Sequence, residues 1–322
     1  MSELEPRDLE FVLRAATYLE QPGFLVRMSG LLGRPAEMAL RALPPTAERM
    51  VTRSTERALK AAMRVALATM RRPPIVVEGR PAAELYASTL GSGALHTGAG
   101  YFTGFTGGLF GIAALPVELP LTTAIMLRSI ADIARHMGAD VRDPAVQLEC
   151  LAVLGLGHTQ APATGLGGGG PASLDQAARV EPGYYAVRTS LISAVGSAAK
   201  YAAGATPGEL VKAMMRGRAP ALAGLLGAIA NRFQLAVAQK TILQLLPVLG
   251  AATGTAVNLA FLDHFNEVAR YHFGLRLLER RHGDHTVRQA YMAALPGSAS
   301  ARQVAAGAVI DVPAERAAIK AD

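Results

Sequence analysis

At 322 residues the chain is long enough for one large domain or two small ones, and 51% hydrophobic against 18% charged residues makes a core easy to bury. Tryptophan is absent, aromatics are 5% and glycine numbers 33, so close packing must come from small side chains rather than large rings. The net charge of +7 suits nucleic acid, anionic lipid or an acidic protein, but no stacking-aromatic reading module accompanies it. That excludes nucleic acid as the expected partner and puts anionic lipid first.

Runs that alternate β-branched or aromatic residues with polar ones are scarce, which argues against an all-β fold. The single cysteine, Cys150, cannot close an internal disulfide and fits a reducing compartment. The acidic start, Met1 to Glu10, lacks the basic-then-apolar pattern of a signal peptide. We expect an intracellular protein that is all-α: a helical bundle with Gly-rich apolar helical hairpins, membrane-associated or deeply buried.

Residues 6 to 43 read as short helices punctuated by Pro22-Gly23, Gly30 and Gly33. A longer helix follows Pro44-Pro45, with Thr46 as the expected N-cap, and runs to Arg71 before Pro73-Pro74. Along it Arg49, Arg53, Arg57, Lys60 and Arg64 recur three or four apart and share one face. Two readings fit: a solvated face on a core helix, or an interfacial helix with Arg49, Arg53, Arg57 and Arg64 against anionic headgroups.

Between Glu84 and Arg128 the only charged residue is Glu118. Gly100, Gly104 and Gly108 repeat small-xxx-small spacing in that stretch, and Pro116 and Pro120 bracket Glu118. Two prolines so placed predict a break, as a hairpin or as two half-helices meeting there. The next helix ends at Gly138, and Asp143-Pro144 opens another, with Asp143 as N-cap and proline at the first position. Residues 155 to 171, with Gly167 to Gly170, read as a loop without the Lys-Ser/Thr ending of a phosphate-binding loop. Helical pattern resumes near Tyr184, and Thr206-Pro207-Gly208-Glu209 forms a capping box.

Lys240 to Asp263 encloses a second uncharged stretch of bilayer-spanning length, interrupted by Gln244, Pro247 and Asn258. A buried or in-plane segment suits it better than a full crossing. Beyond Asp263 an amphipathic helix carries His264, Glu267 and Arg270 and ends on Arg276, Arg280 and Arg281. The tail past Pro296 is rich in Ala, Gly and Ser.

The sequence has no HExxH, paired CxxC or GxSxG motif, so it identifies no reaction and the balance is against an enzyme. No cofactor is expected, although a divalent metal is a candidate. Asp132 and His136 are four apart, as are Asp263 and Glu267, and Glu118 stands in an apolar segment where an unpaired carboxylate is costly. Carboxylates and a histidine from facing helices build metal sites in helical bundles, which makes Glu118, Asp132, His136, Asp263 and Glu267 a candidate ligand set. The alternative has Glu267 and Asp263 paired with Arg270 or other cations, and Glu118 accepting amide hydrogen bonds near Leu121 and Thr122.

Two blocks carry a family resemblance. One is Gly107 to Gly157, centred on Ala114-Leu-Pro-Val-Glu-Leu-Pro120 and followed by Ile130-Ala-Asp-Ile-Ala134. The other is Leu246-Pro-Val-Leu-Gly-Ala-Ala-Thr-Gly254 with Ala256-Val-Asn-Leu-Ala-Phe261. With the Tyr184-Tyr185 segment, these blocks resemble the EcsC family over roughly residues 50 to 285. The resemblance implies a bacterial helical protein with a membrane link, since the family is named for a gene beside ABC-transporter genes. It brings neither a reaction nor catalytic residues.

The expected organisation is a helical N-terminal extension over 1–45, an EcsC-like helical domain over 46–285 and a weakly structured tail over 286–322. The expected function is a membrane-associated, lipid-binding protein or an accessory to membrane transport or secretion, on the cytoplasmic side of the inner membrane. Its partners would be membrane lipid and a transporter or other membrane protein. A metal-dependent hydrolase acting on lipid or peptide remains the alternative.

Overall fold

The computed structural model describes residues 4–20, 45–70, 72–92, 114–157, 183–202, 209–210, 212–213, 216–245 and 250–295. Among them are nine helices and no strand: α1 (Pro6–Leu19), α2 (Pro45–Thr69), α3 (Ala82–Ser92), α4 (Leu115–His136), α5 (Pro144–Leu156), α6 (Gly183–Ala202), α7 (Pro220–Leu245), α8 (Gly250–His282) and α9 (Asp284–Ala293). The fold is an all-α bundle.

α8 is its axis. Its 33 residues make a rod about 50 Å long, and most side chains from Val257 to Leu278 are buried. α1, α3, α4, α5, α7 and α9 all pack on it. α5 is buried almost all round, from Gln147 to Leu156, as expected of a helix with no polar face. Its start follows the local sequence: Asp143 Oδ1 accepts the Ala145 amide at 2.8 Å, and Pro144 occupies the first turn. The preceding stop is Gly138 at φ +72°, where an added Cβ would lie 2.6 Å from Val77.

Two expectations change. Pro116 and Pro120 do not end a helix: α4 has Pro116 in its first turn and runs through Pro120, which lies inside it at the cost of one backbone hydrogen bond, to His136, while the residues just before 114 lie outside the described ones. A first-turn proline lacks only an amide that has no intrahelical partner, so it starts a helix as readily as it breaks one. Thr46 lies inside α2, which begins at Pro45 rather than after it.

The uncharged stretch from Lys240 to Asp263 is divided between the end of α7 and the start of α8. One described segment, Pro220–Thr241, is long and apolar enough to cross a membrane, with mean hydropathy 1.4 over 22 residues. A core helix meets the same criterion, and Leu222, Leu225, Ile229, Phe233 and Val237 of this one are buried in the bundle. The glycine run 100–111, the loop 158–171, the capping box at 206–208, and the tail past 296 lie outside the described residues.

Candidate functional site

α4 packs along α2 more extensively than any other described pair of helices. Their C-terminal ends adjoin: Arg72 NH1 is 4.0 Å from Asp132 Oδ1, and the Ile75 amide donates to the Arg135 carbonyl at 3.2 Å. The two helices therefore run in the same direction, with their N-terminal turns at one end of the bundle. The C-terminal part of α7 reaches that end too, because Lys240 Nζ donates to Glu118 Oε1 at 2.6 Å.

This ion pair is sealed, with side chains 0% and 1% exposed. Burial pushes the Lys240 ammonium below its ordinary pKa, and the Glu118 charge and hydrogen bond pull it partly back. The Phe261 ring of α8 faces the ammonium at 5.2 Å from its centroid. Glu118 thus meets a cation from another helix instead of capping α4, whose start has no side-chain cap.

The outer surface of α2 is basic along most of its length, and the start of α4 beside it is apolar. Arg49, Arg53, Arg57, Lys60 and Arg64 of α2 are all exposed, while Val51, Ala58, Leu59, Ala62 and Met63 face inward. The periodicity of the sequence is thus an outward, predominantly cationic face, in which Glu56, exposed between Arg53 and Lys60, is the one acidic member. On α4, Val117 is 78% and Leu121 49% exposed, an i,i+4 pair in the first turns that continues to half-buried Ile125, while the other large aliphatic residues of the helix are buried.

The five candidate metal ligands stand apart. Glu118 meets Lys240. Asp132 lies 3.7 Å from Arg135 and 4.0 Å from Arg72, and its backbone carbonyl takes His136 Nδ1 at 2.7 Å. Asp263 is exposed. Glu267 accepts from Tyr86 and, at 2.9 Å, from Arg270. Among the described residues no three His, Cys, Asp or Glu side chains gather as a metal ion needs.

The EcsC protein family matches residues 17–278. The chain belongs to this family. The match starts inside α1, further toward the N-terminus than the resemblance drawn from residue 50. No curated protein and no solved structure matches the chain.

Within this EcsC fold, α8 carries a buried polar spine that the sequence reading did not single out. His272 Nε2 lies 2.9 Å from Glu149 Oε1, and His272 Nδ1 lies 2.9 Å from the Tyr184 hydroxyl. With the carboxylate as acceptor, Nε2 carries the proton and Nδ1 accepts from Tyr184. Arg276 reaches the same Glu149 oxygen at 3.2 Å. Burial lowers the His272 pKa, which keeps the ring neutral, and Glu149 pulls it partly back. Burial would raise the Glu149 carboxyl, but the His272 hydrogen bond and the nearby cations hold it below its ordinary value.

One turn further on, Arg188 of α6 binds Glu279 through both terminal guanidinium nitrogens, and Tyr185 donates to it at 3.2 Å. Glu20, just after α1, accepts the Gly183 and Tyr184 amides at 3.0 Å and the Tyr291 hydroxyl at 3.0 Å. One carboxylate thus caps α6 and ties α1 to α9. Tyr184, His272 and Tyr291 are fully buried, so their hydrogen bonds tie helices of the bundle together.

The signal that could have found the spine is in α5. Glu149 is the only charged residue of Pro144–Leu156, and a lone carboxylate in an apolar helix requires a partner.

Proposed function

We propose that this EcsC protein is a peripheral membrane protein, non-enzymatic, that lies on anionic lipid on the cytoplasmic side of the inner membrane. Through that contact it serves membrane transport or secretion as an accessory. The observation that carries the reading is the outward face of α2, where five cations are exposed three or four residues apart. Exposed Val117 and Leu121 at the neighbouring start of α4 add an apolar edge. A basic face with apolar side chains beside it is the composition of an interfacial surface: cations hold the headgroups while aliphatic tips enter the acyl boundary.

The sealed Glu118–Lys240 pair locks α4 to α7 under the proposed contact surface.

The test is sedimentation of the full chain with vesicles of neutral phosphatidylcholine or of phosphatidylcholine with phosphatidylglycerol. The expected result is binding to the anionic vesicles at low salt and partial release at high salt. Absence of binding to anionic vesicles at low salt would overturn the reading.

A further inference from the structure

On another side of the bundle α1 and α3 enclose a cleft of about 380 Å³, within the size range of small-molecule sites. Asp8 of α1 fixes the start of α3 by accepting the Ala82 amide at 3.1 Å, and Phe11 meets the Tyr86 ring edge-on at 6.3 Å. The two helices therefore run side by side. Tyr86 and Tyr271 form the floor, their ring centroids 5.5 Å apart and their planes 32° from parallel. The Tyr86 hydroxyl is tied down beneath the floor, where it donates to Glu267; Arg270 holds the other oxygen of that carboxylate. This anchorage keeps the platform rigid.

The walls define what would fit. On α3, Ala83, Ala87 and Leu90 recur at i, i+4 and i+7 and make an apolar strip about 10 Å long beside the aromatic floor. On the rim, Glu10 is taken by Arg14 at 2.5 Å and Glu84 by Arg80 at 2.9 Å. Among the described lining residues Arg7 is the charge left without an opposite partner. One unneutralised cation at the end of an apolar strip calls for one anionic group on an apolar body. Multiply charged ligands such as nucleoside polyphosphates would face Glu10 and Glu84 with too little positive charge to offset them.

We propose that this cleft binds an anionic single-chain amphiphile, with its carboxylate or phosphate on Arg7 and its chain along Tyr86, Ala87 and Leu90. The site is separate from the α2 surface and does not rest on the membrane reading.

The experiment titrates the full chain with oleate, 1-oleoyl lysophosphatidate, lysophosphatidylcholine and inorganic phosphate, each below its micelle concentration where it has one. Calorimetry and tyrosine emission report binding; the chain has no tryptophan to mask the latter. Saturable one-to-one binding of oleate, lysophosphatidate or both is expected, and which of them binds identifies the headgroup. Arg7→Glu should weaken it about tenfold or more, the loss of one charge-assisted contact. Ala87→Trp, at an exposed position, should block the strip. Arg53→Gln with Arg57→Gln should leave the affinity unchanged, so failure of the α2 reading would not be mistaken for failure here. The proposal is overturned if neither amphiphile binds, if phosphate or lysophosphatidylcholine binds equally well, or if Arg7→Glu binds as the parent does.

Discussion

Lys240 of α7 and Glu118 of α4, 122 residues apart in sequence, meet at 2.6 Å with both side chains sealed from water. Each is the answer to the other's burial. Removing either partner strands a charge in the core, a change that typically costs about 3–5 kcal/mol. Glu118→Gln and Lys240→Met should each lower the unfolding free energy by that order, seen as a fall in the denaturation midpoint. Glu118→Leu combined with Lys240→Met should recover much of the loss, since apolar pairs often replace buried ion pairs without penalty. Chemical denaturation of the parent, both singles and the double reads this directly; single variants as stable as the parent would contradict the sealed pair.

Acid should weaken the fold earlier than carboxylate titration alone would. The folded His272 binds a proton less readily than its ordinary value of 6.5, first because of burial, and Glu149 is held below its ordinary 4.5. Between each ordinary value and the lower folded one, the unfolded chain binds more protons than the folded chain. Stability therefore falls as the pH drops, beginning near 6.5 through His272 and continuing below 4.5 through Glu149. In a melting series from pH 8 to 4, His272→Gln should flatten the upper part of the slope. An unchanged slope above pH 5 in that variant would remove His272 as the cause.

Gly274 sets how closely α1 approaches α8. An added Cβ there would lie 2.2 Å from Phe11 Cζ and 2.7 Å from Cε1, so the ring must move as a whole. Phe11 is 3% exposed and packed against Tyr86 and Tyr271, so its ring can yield only by shifting toward the cleft it lines and giving up those ring contacts. Gly274→Ala should cost about 1–3 kcal/mol, the range for overpacking a core. Loosening of α1, read as faster amide exchange over Phe11 to Leu19 than elsewhere, should accompany it. A variant as stable as the parent, with unchanged exchange, would mean the contact is not limiting.

What the sequence disclosed and what it hid divide by distance along the chain. The Asp143 cap, the Gly138 stop and the one-sided cations of α2 are local, settled within a turn or two, and all were legible. The Pro116–Pro120 segment misled because proline has two meanings, helix start and helix break, and only the packing of α4 against α2 decides between them. Glu118 was recognised as a carboxylate needing a partner, yet Lys240 entered the reading only as the edge of an apolar stretch. No spacing rule joins residues on different helices. His272 was missed for the same reason: it stands between Tyr271 and Phe273 on a helix that looks amphipathic, while its partners come from α5 and α6.

The two components of the α2–α4 surface predict separable losses at a membrane. A cation close to an anionic bilayer contributes about 1 kcal/mol, so Arg49→Gln, Arg53→Gln, Arg57→Gln and Arg64→Gln together should remove about 4 kcal/mol, roughly a thousandfold in affinity at low salt. That contribution is screened, because the Debye length is about 10 Å at 0.1 M salt and shorter above it. Insertion of Val117 and Leu121 is indifferent to salt, since it depends on apolar area leaving water. The quadruple variant should therefore lose binding to anionic vesicles and keep whatever weak binding the parent shows to neutral ones. Val117→Ser with Leu121→Ser should do the reverse, sparing low-salt binding while removing the fraction that survives high salt. All of these positions point outward, so neither variant should shift the melting temperature by more than a degree or two, and a melt run beside each sedimentation separates a binding defect from a folding one. Equal loss of the quadruple variant on neutral and anionic vesicles would make α2 a structural helix with a solvated face.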